Sequence, residues 1–182
     1  MTLLDDLRTL VGEWEQTATQ DDMRGAGVRK TDVEELRAVI ARHSCPLDDK
    51  QLDTLIRLAS GDTITDLKQH LSLSYGGVTY RTHRIYTLYG VSTATEAVIK
   101  ALRAGHIIIE DIKGHWAGEE PTAEQKRVLQ AVADHGTNEA VAEALGLGLG
   151  TVKMTLHKTS WRAGTGCKVQ MVVRAYREGW VK

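Results

Sequence analysis

Residues 47–107 and 121–181 align with each other at a constant offset of 74, with no gap. Leu55 falls on Leu129, Ala59 on Ala133, Leu67 on Val141, Leu71 on Leu145, Leu73 on Leu147 and Val78 on Val152. Gly90, Arg103 and Gly105 likewise fall on Gly164, Arg177 and Gly179. A repeat of this length means that one supersecondary unit is used twice, so the fold of one copy constrains the fold of the other. The chain divides accordingly into an N-terminal segment 1–46, a first copy 47–107, a connector 108–120 and a second copy 121–182.

Each copy reads as four short helices, which makes the expected fold class all-α. The first helix starts at Asp48 with Gln51, or at Thr122 with Gln125, the N-cap and N3 positions of a capping box. Apolar residues then recur at 52, 55, 58 and 59, and at 128, 129, 132 and 133, a helical spacing. Gly61 and Gly136 stand where these helices should stop. The second helix covers ITDLKQHL after Thr63 with Asp66, or NEAVAEAL after Thr137. The third covers VTYRTHRIYTLYG or TVKMTLHKTSWRAG, after a tight turn. The fourth covers STATEAVIKALRAG, with Thr93 and Glu96 as its cap, or CKVQMVVRAYREG.

Charge separates the copies from the rest. Over all 182 residues the formal net charge is −1. Residues 1–46 hold 6 basic and 9 acidic side chains, and the connector holds 1 and 4. Residues 121–182 hold 9 basic and 5 acidic, and from Gly148 onward there are seven Lys or Arg and one acid, Glu178. A basic face on an otherwise acidic chain is the electrostatic footprint of a nucleic-acid binder, and equally that of a solvated helix face.

The second and third helices of each copy, joined by a tight turn and polar on one face, have the helix-turn-helix layout. A helix about 12 Å across with its side chains fits the B-DNA major groove. Its first residues then reach base edges while amides and cations hold phosphates.

With these residues in place, both copies resemble the LuxR-type (GerE-like) DNA-binding domain of bacterial regulators. The first copy carries LDDKQLDTLIRLASG, TITDLKQHLSLSYGGVTYRTHRIYTLYGV and STATEAVIKALRAGHI; the second carries TAEQKRVLQAVADH, TNEAVAEALGLGLGTVKMTLHKTSWRAG and CKVQMVVRAYREGWV. The resemblance covers about two thirds of the chain. It implies two tandem four-helix units and that the residues just after the buried Val point into the groove. Those are Thr79, Tyr80 and His83, and in the second copy Lys153, Met154 and His157. Helical geometry agrees: Val78, Thr82 and Ile85 share one face, as do Val152, Leu156 and Thr159, and the neighbouring positions face away.

Lys153 is the leading base reader, because Lys bonds guanine O6 and N7; Met154 and Tyr80 suit a thymine methyl. Ser74, Tyr75, Arg84, Thr151 and Lys158 are the phosphate candidates. The chain also departs from the family. The small Ala kept in the second copy as Ala142 is Lys68 in the first. Gly76 and Gly77 open the first recognition helix, each costing about 1 kcal/mol of helix stability against Ala. Gly148 and Leu149 replace a Ser and an acid. On these grounds the first unit is looser, or orders only on DNA, or serves as a clamp that has lost sequence reading.

The stretch GLGLGTVKMTLHK, 146–158, looks at first like a nucleotide loop. Such a loop needs a preceding apolar strand and a GK[ST] or GxGxxG frame. Here NEAVAEAL precedes it, and the offset of 74 lays it on LSLSYGGVTYRTHR, turn on turn. Its glycines are expected to make the turn and let backbone approach a DNA phosphate.

Nothing in the sequence frames a catalytic or metal site. Cys45 and Cys167 have no CxxC partner, so free thiols in a reducing cytoplasm are expected. The seven His are scattered, and no GxSxG or comparable frame occurs. No enzymatic activity, metal or cofactor is expected. Trp180 is expected in the core, Trp161 to brace the domain or lie on a sugar, and Trp116 to dock the connector. In 1–46, Leu3, Leu4, Leu7, Leu10, Val11 and Trp14 form one helical stripe. Val33, Leu36, Val39 and Ile40 form another behind Thr31 and Glu34. These stripes pack on the first unit or pair two chains into a homodimer.

No apolar run approaches the roughly 18 residues of a membrane span, and the start, MTLLDDLRTLVGEW, lacks a basic signal region. The expected protein is a cytoplasmic, nucleoid-associated regulator that binds double-stranded DNA at an asymmetric bipartite site. The alternative is an adaptor that docks RNA polymerase or another regulator through sigma-like helical domains.

Overall fold

A computed structural model of the chain describes residues 44–182 together with Leu36 and Ile40. The two helices expected in 1–46 lie outside the described residues, except that Leu36 and Ile40 are both helical. The chain divides into two compact units. Met1–Cys45 and Ala104–His106 belong to one, in which Ile40 is buried and its carbonyl accepts from the amide of Ser44. Pro46–Arg103 and Ile107–Lys182 form the other, which holds all the helices of both copies of the repeat.

In the first copy α1 spans Asp49–Ser60, α2 Ile64–Leu71, α3 Tyr75–Tyr89 and α4 Ala94–Arg103. A single 3-10 turn at Ile109–Asp111 follows. The second copy gives α5 Ala123–His135, α6 Asn138–Leu145, α7 Leu149–Ala163 and α8 Lys168–Arg177. All regular structure among the described residues is helical, so the all-α expectation holds. Lengths of 8, 15 and 10 residues in α2, α3 and α4 recur in α6, α7 and α8.

Local chemistry sets these boundaries. Gln51 N donates to Asp48 Oδ1 at 2.8 Å while Asp48 N donates to Gln51 Oε1 at 3.0 Å, a reciprocal cap that Thr122 and Gln125 repeat on α5. Thr63 and Asp66 do the same for α2. Each such cap contributes about 1 kcal/mol. The third helices start earlier than the VTYR and TVKM stretches, at Tyr75 and Leu149. Ser74 and Gly148 are extended N-caps, and Ser74 Oγ accepts from Gly77 N at 3.1 Å. Gly76 and Gly77 therefore lie inside the first turn of α3.

Only three residues join each second helix to its third: Ser72, Leu73 and Ser74, or Gly146, Leu147 and Gly148. Ser72 and Gly146 occupy equivalent positions and both are left-handed, with φ of 52° and 64°. Leu73 N and Leu147 N then donate back to Lys68 O and Ala142 O at 3.1 and 2.9 Å, closing the helix ends.

Burial follows the repeat. Leu55 and Leu129, Val78 and Val152, and Val98 and Val172 are all fully enclosed. One cluster of buried apolar side chains runs through both copies, from Leu55 to Val181. The join is made by the fourth helices. α4 packs on α8 and on α5 of the other copy, and α8 packs on α1. Because the contact α4–α5 is the repeat equivalent of α8–α1, the two copies meet reciprocally, as subunits do about an approximate two-fold axis.

The fourth-helix arginines repeat this reciprocity. Arg103 donates to the backbone oxygen of Lys182 and to Asp134 Oδ1, the latter at 2.7 Å. Arg177 donates to the backbone oxygens of Ile109, Ile112 and Gly114, in the stretch that follows the first copy. The connector is thereby held against α8, with Ile112 buried. Trp116 meets Trp180 edge-on, with centroids 5.1 Å apart and planes at 84°. Lys126 Nζ sits 5.3 Å from the Trp180 ring centroid. Trp180 is thus half-buried, packed against the core as expected and also against Trp116 of the connector.

Candidate nucleic-acid interface

α3 packs on α1, α2 and α4, and α7 packs on α5, α6 and α8. Each is fixed along one side and open along the other. On the inner side Val78 and Ile85 are fully enclosed and Thr82 is half-buried, its hydroxyl turned back onto Val78 O at 3.1 Å. Val152, Leu156 and Thr159 are buried on α7, with Thr159 Oγ1 donating to Thr155 O at 2.7 Å.

The opposite face carries the sequence-derived set. Ser74, Tyr75, Thr79, Tyr80, His83 and Arg84 are all exposed on or beside α3. Thr151, Lys153, Met154, His157 and Lys158 are all exposed on α7. Tyr80 and Met154, equivalent in the repeat, keep 74% and 56% of their surface open. Thr79 Oγ1 donates to Tyr75 O at 3.0 Å, which leaves its hydroxyl lone pairs outward. The oxygen Ser74 Oγ is engaged as the cap of α3.

Neither α3 nor α7 contains an Asp or Glu. α7 carries Lys153, Lys158, Arg162 and His157, and neither lysine is ion-paired among the described residues. Arg162 is loosely paired, 3.9 Å from Glu119 of the connector. Gly148 caps α7 with no side-chain hydrogen bond, so the first amides of that helix remain open. A surface cavity of about 560 Å³ lies beside them, lined by Thr151, Met154 and Lys158 with Thr122 and Glu124 of the α5 start. Glu124 is the one carboxylate at its edge.

The two copies do not present the same chemistry. α3 offers tyrosines, Arg81 and Arg84 where α7 offers two exposed lysines, a methionine and a tryptophan. Lys68 is half-buried where Ala142 is buried, so the longer side chain is accommodated without breaking the α2–α3 contact.

Trp161, expected to brace the domain or lie on a sugar, is 84% exposed on α7. Its spacing from Met154 and His157, by seven and four residues, was the available signal. Among the described residues no three His, Cys, Asp or Glu side chains are grouped to hold a metal ion. No described helix is long and apolar enough to cross a membrane. Comparison with family models, curated proteins and solved structures finds no match to this chain.

Proposed function

We propose that the chain binds double-stranded DNA through two LuxR-like helix-turn-helix units, α2–α3 and α6–α7, and regulates transcription from an asymmetric bipartite site. The observation that supports this reading is the paired open face of α3 and α7. Eleven side chains picked for groove and phosphate contact are all exposed, on two helices free of carboxylates. Lys153 reads a guanine edge; Met154 and Tyr80 pack on thymine methyls. Lys158, Arg84, Thr151 and the open amides of α7 hold phosphates. The turn 146–148 brings those amides, at the start of α7, to the DNA backbone.

The reciprocal packing of α4 and α8 gives this reading its shape. Two units related by an approximate two-fold axis approach DNA as a dimer does, with half-sites in opposite directions. Because the two reading helices differ, the half-sites differ in sequence. Joining both units in one chain makes the second contact intramolecular, at an effective concentration on the order of mM.

Selection of bound fragments from random duplex DNA, followed by footprinting of the monomeric protein, tests the proposal. An enriched, non-palindromic site protected over two half-sites supports it. Equal binding to every duplex would remove the sequence-specific role, and no binding to any duplex would remove DNA as the partner.

A further inference from the structure

We infer that Trp161 is a DNA-backbone contact, its indole lying against a deoxyribose with Nε1–H donating to a phosphate at the edge of the groove. The inference rests on the DNA-binding reading above and adds to it a residue that reading does not need. A tryptophan open over 84% of its surface leaves a large apolar ring and one hydrogen-bond donor in water. An indole with its body apolar and its tip polar suits a surface that alternates sugar carbon with phosphate oxygen.

Helical geometry places it there. Trp161 follows Met154 by seven residues, so the two point within about 20° of one another. They are separated by roughly 10 Å along the axis. With Met154 over base edges in a major groove about 12 Å wide, the indole reaches the strand that borders the groove. Lys158 lies one turn before it and Arg162 beside it, Arg162 loosely shared with Glu119 of the connector at 3.9 Å, while α7 itself has no carboxylate to repel the strand. That charge favours a polyanion over a protein surface as the occupant. The first copy has Thr87 at the equivalent position, so the contact belongs to the second half-site alone.

The test compares wild type with Trp161→Ala, Trp161→Phe and Lys158→Ala on a mixed-sequence duplex of about three helical turns. Trp161→Ala is expected to weaken binding about five- to tenfold, the loss of a donor to a charged acceptor and its packing. Trp161→Phe, which keeps a ring without the N–H, falls between. Because the indole is uncharged, the slope of log affinity against log salt stays at the wild-type value in both, whereas Lys158→Ala lowers it by about 0.9. Acrylamide quenching of the wild-type tryptophan emission drops on adding duplex, and Trp161→Phe loses that change. Wild-type affinity in Trp161→Ala, with its urea midpoint unchanged, would overturn the inference. Unchanged quenching on DNA would do the same. A wild-type protein that binds no duplex would instead overturn the DNA reading itself.

Discussion

Glu96 and Gln170 occupy the same position of the repeat, and each lies against the glycine that ends the first helix of the opposite copy. A Cβ on Gly136 would stand 2.5 Å from the carboxyl carbon of Glu96, and one on Gly61 would stand 2.6 Å from Gln170 Nε2. Gln170 Nε2 also donates to Ser60 O at 2.7 Å. Glu96 is engaged by Thr93 Oγ1 at 2.8 Å, so its carboxylate is held where Gly136 meets it. Each copy therefore closes a helix end of the other, and their stabilities are coupled.

Gly136→Ala is expected to destabilise by about 2 kcal/mol, from the left-handed φ of 68° and the contact with Glu96. Gly61→Ala is expected to cost about as much, about 2 kcal/mol, because its φ is 97° and the obstructing glutamine is likewise held, by Ser60 O. Urea unfolding should show both substitutions shifting one shared transition, since one core spans the copies. Two resolved transitions, with only one moved, would contradict the coupling.

The pair Arg103 and Asp134 predicts an acid-side dependence. Burial alone would raise the Asp134 carboxyl, but hydrogen bonds from Gln130 and Arg103 outweigh it and hold the group below its ordinary value. A depressed carboxyl adds stability that is complete above the unfolded value of about 4 and lost as pH falls through the folded one. Asp134→Asn should therefore flatten the acid limb of the stability curve below about pH 4. At neutral pH the cost should stay within about 1 kcal/mol, because both side chains are 37% exposed and screened. Chemical denaturation across a pH series measures both.

Ser72 and Gly146 make the same left-handed turn with different residues. A non-glycine residue there costs roughly 1–2 kcal/mol, partly offset by the smaller unfolded-state entropy of serine. Ser72→Gly should raise stability by about 0.5–1 kcal/mol, and Gly146→Ser should lower it by about 1 kcal/mol. A lowered melting temperature for Ser72→Gly would refute this.

The two exposed lysines of α7 should fail differently on DNA. Lys153→Ala is expected to cost about 1–3 kcal/mol on the selected site and to relax preference at one base pair. Lys158→Ala should weaken every duplex alike and reduce the salt slope by about 1. Titrations on selected and scrambled duplexes at several salt concentrations separate the two.

Much of the fold was legible because its signals are local. Asp48 with Gln51, Thr63 with Asp66 and Thr122 with Gln125 are caps readable over four residues, and Gly61, Gly90 and Gly164 end helices for the same short-range reason. The open face of α3 and α7 was legible too, since burial of Val78 and Val152 leaves Tyr80 and Met154 outside by helical period. Trp161 was legible only as two alternatives, bracing the domain or lying on a sugar, because helical period alone does not say whether a residue late in α7 has a neighbour to pack on; the structure leaves it 84% exposed.

The docking of one copy on the other was harder to see, although α4 and α8 carried a trace of it. Ala97, Val98 and Ile99 are consecutive and all buried, as are Met171, Val172 and Val173. A helix with one buried face cannot enclose three residues in a row; one packed on two sides can. The sequence by itself determined a duplicated, all-helical unit with its caps, turns and outward-facing residues, because each depends on contacts within a few turns of chain. Only the tertiary structure decided that α4 and α8 clasp each other and that Arg103 and Arg177 each hold the tail following the other copy. Those contacts join residues about 70 positions apart, and the apolar surface of a fourth helix fits its own copy and its neighbour's alike until both are folded.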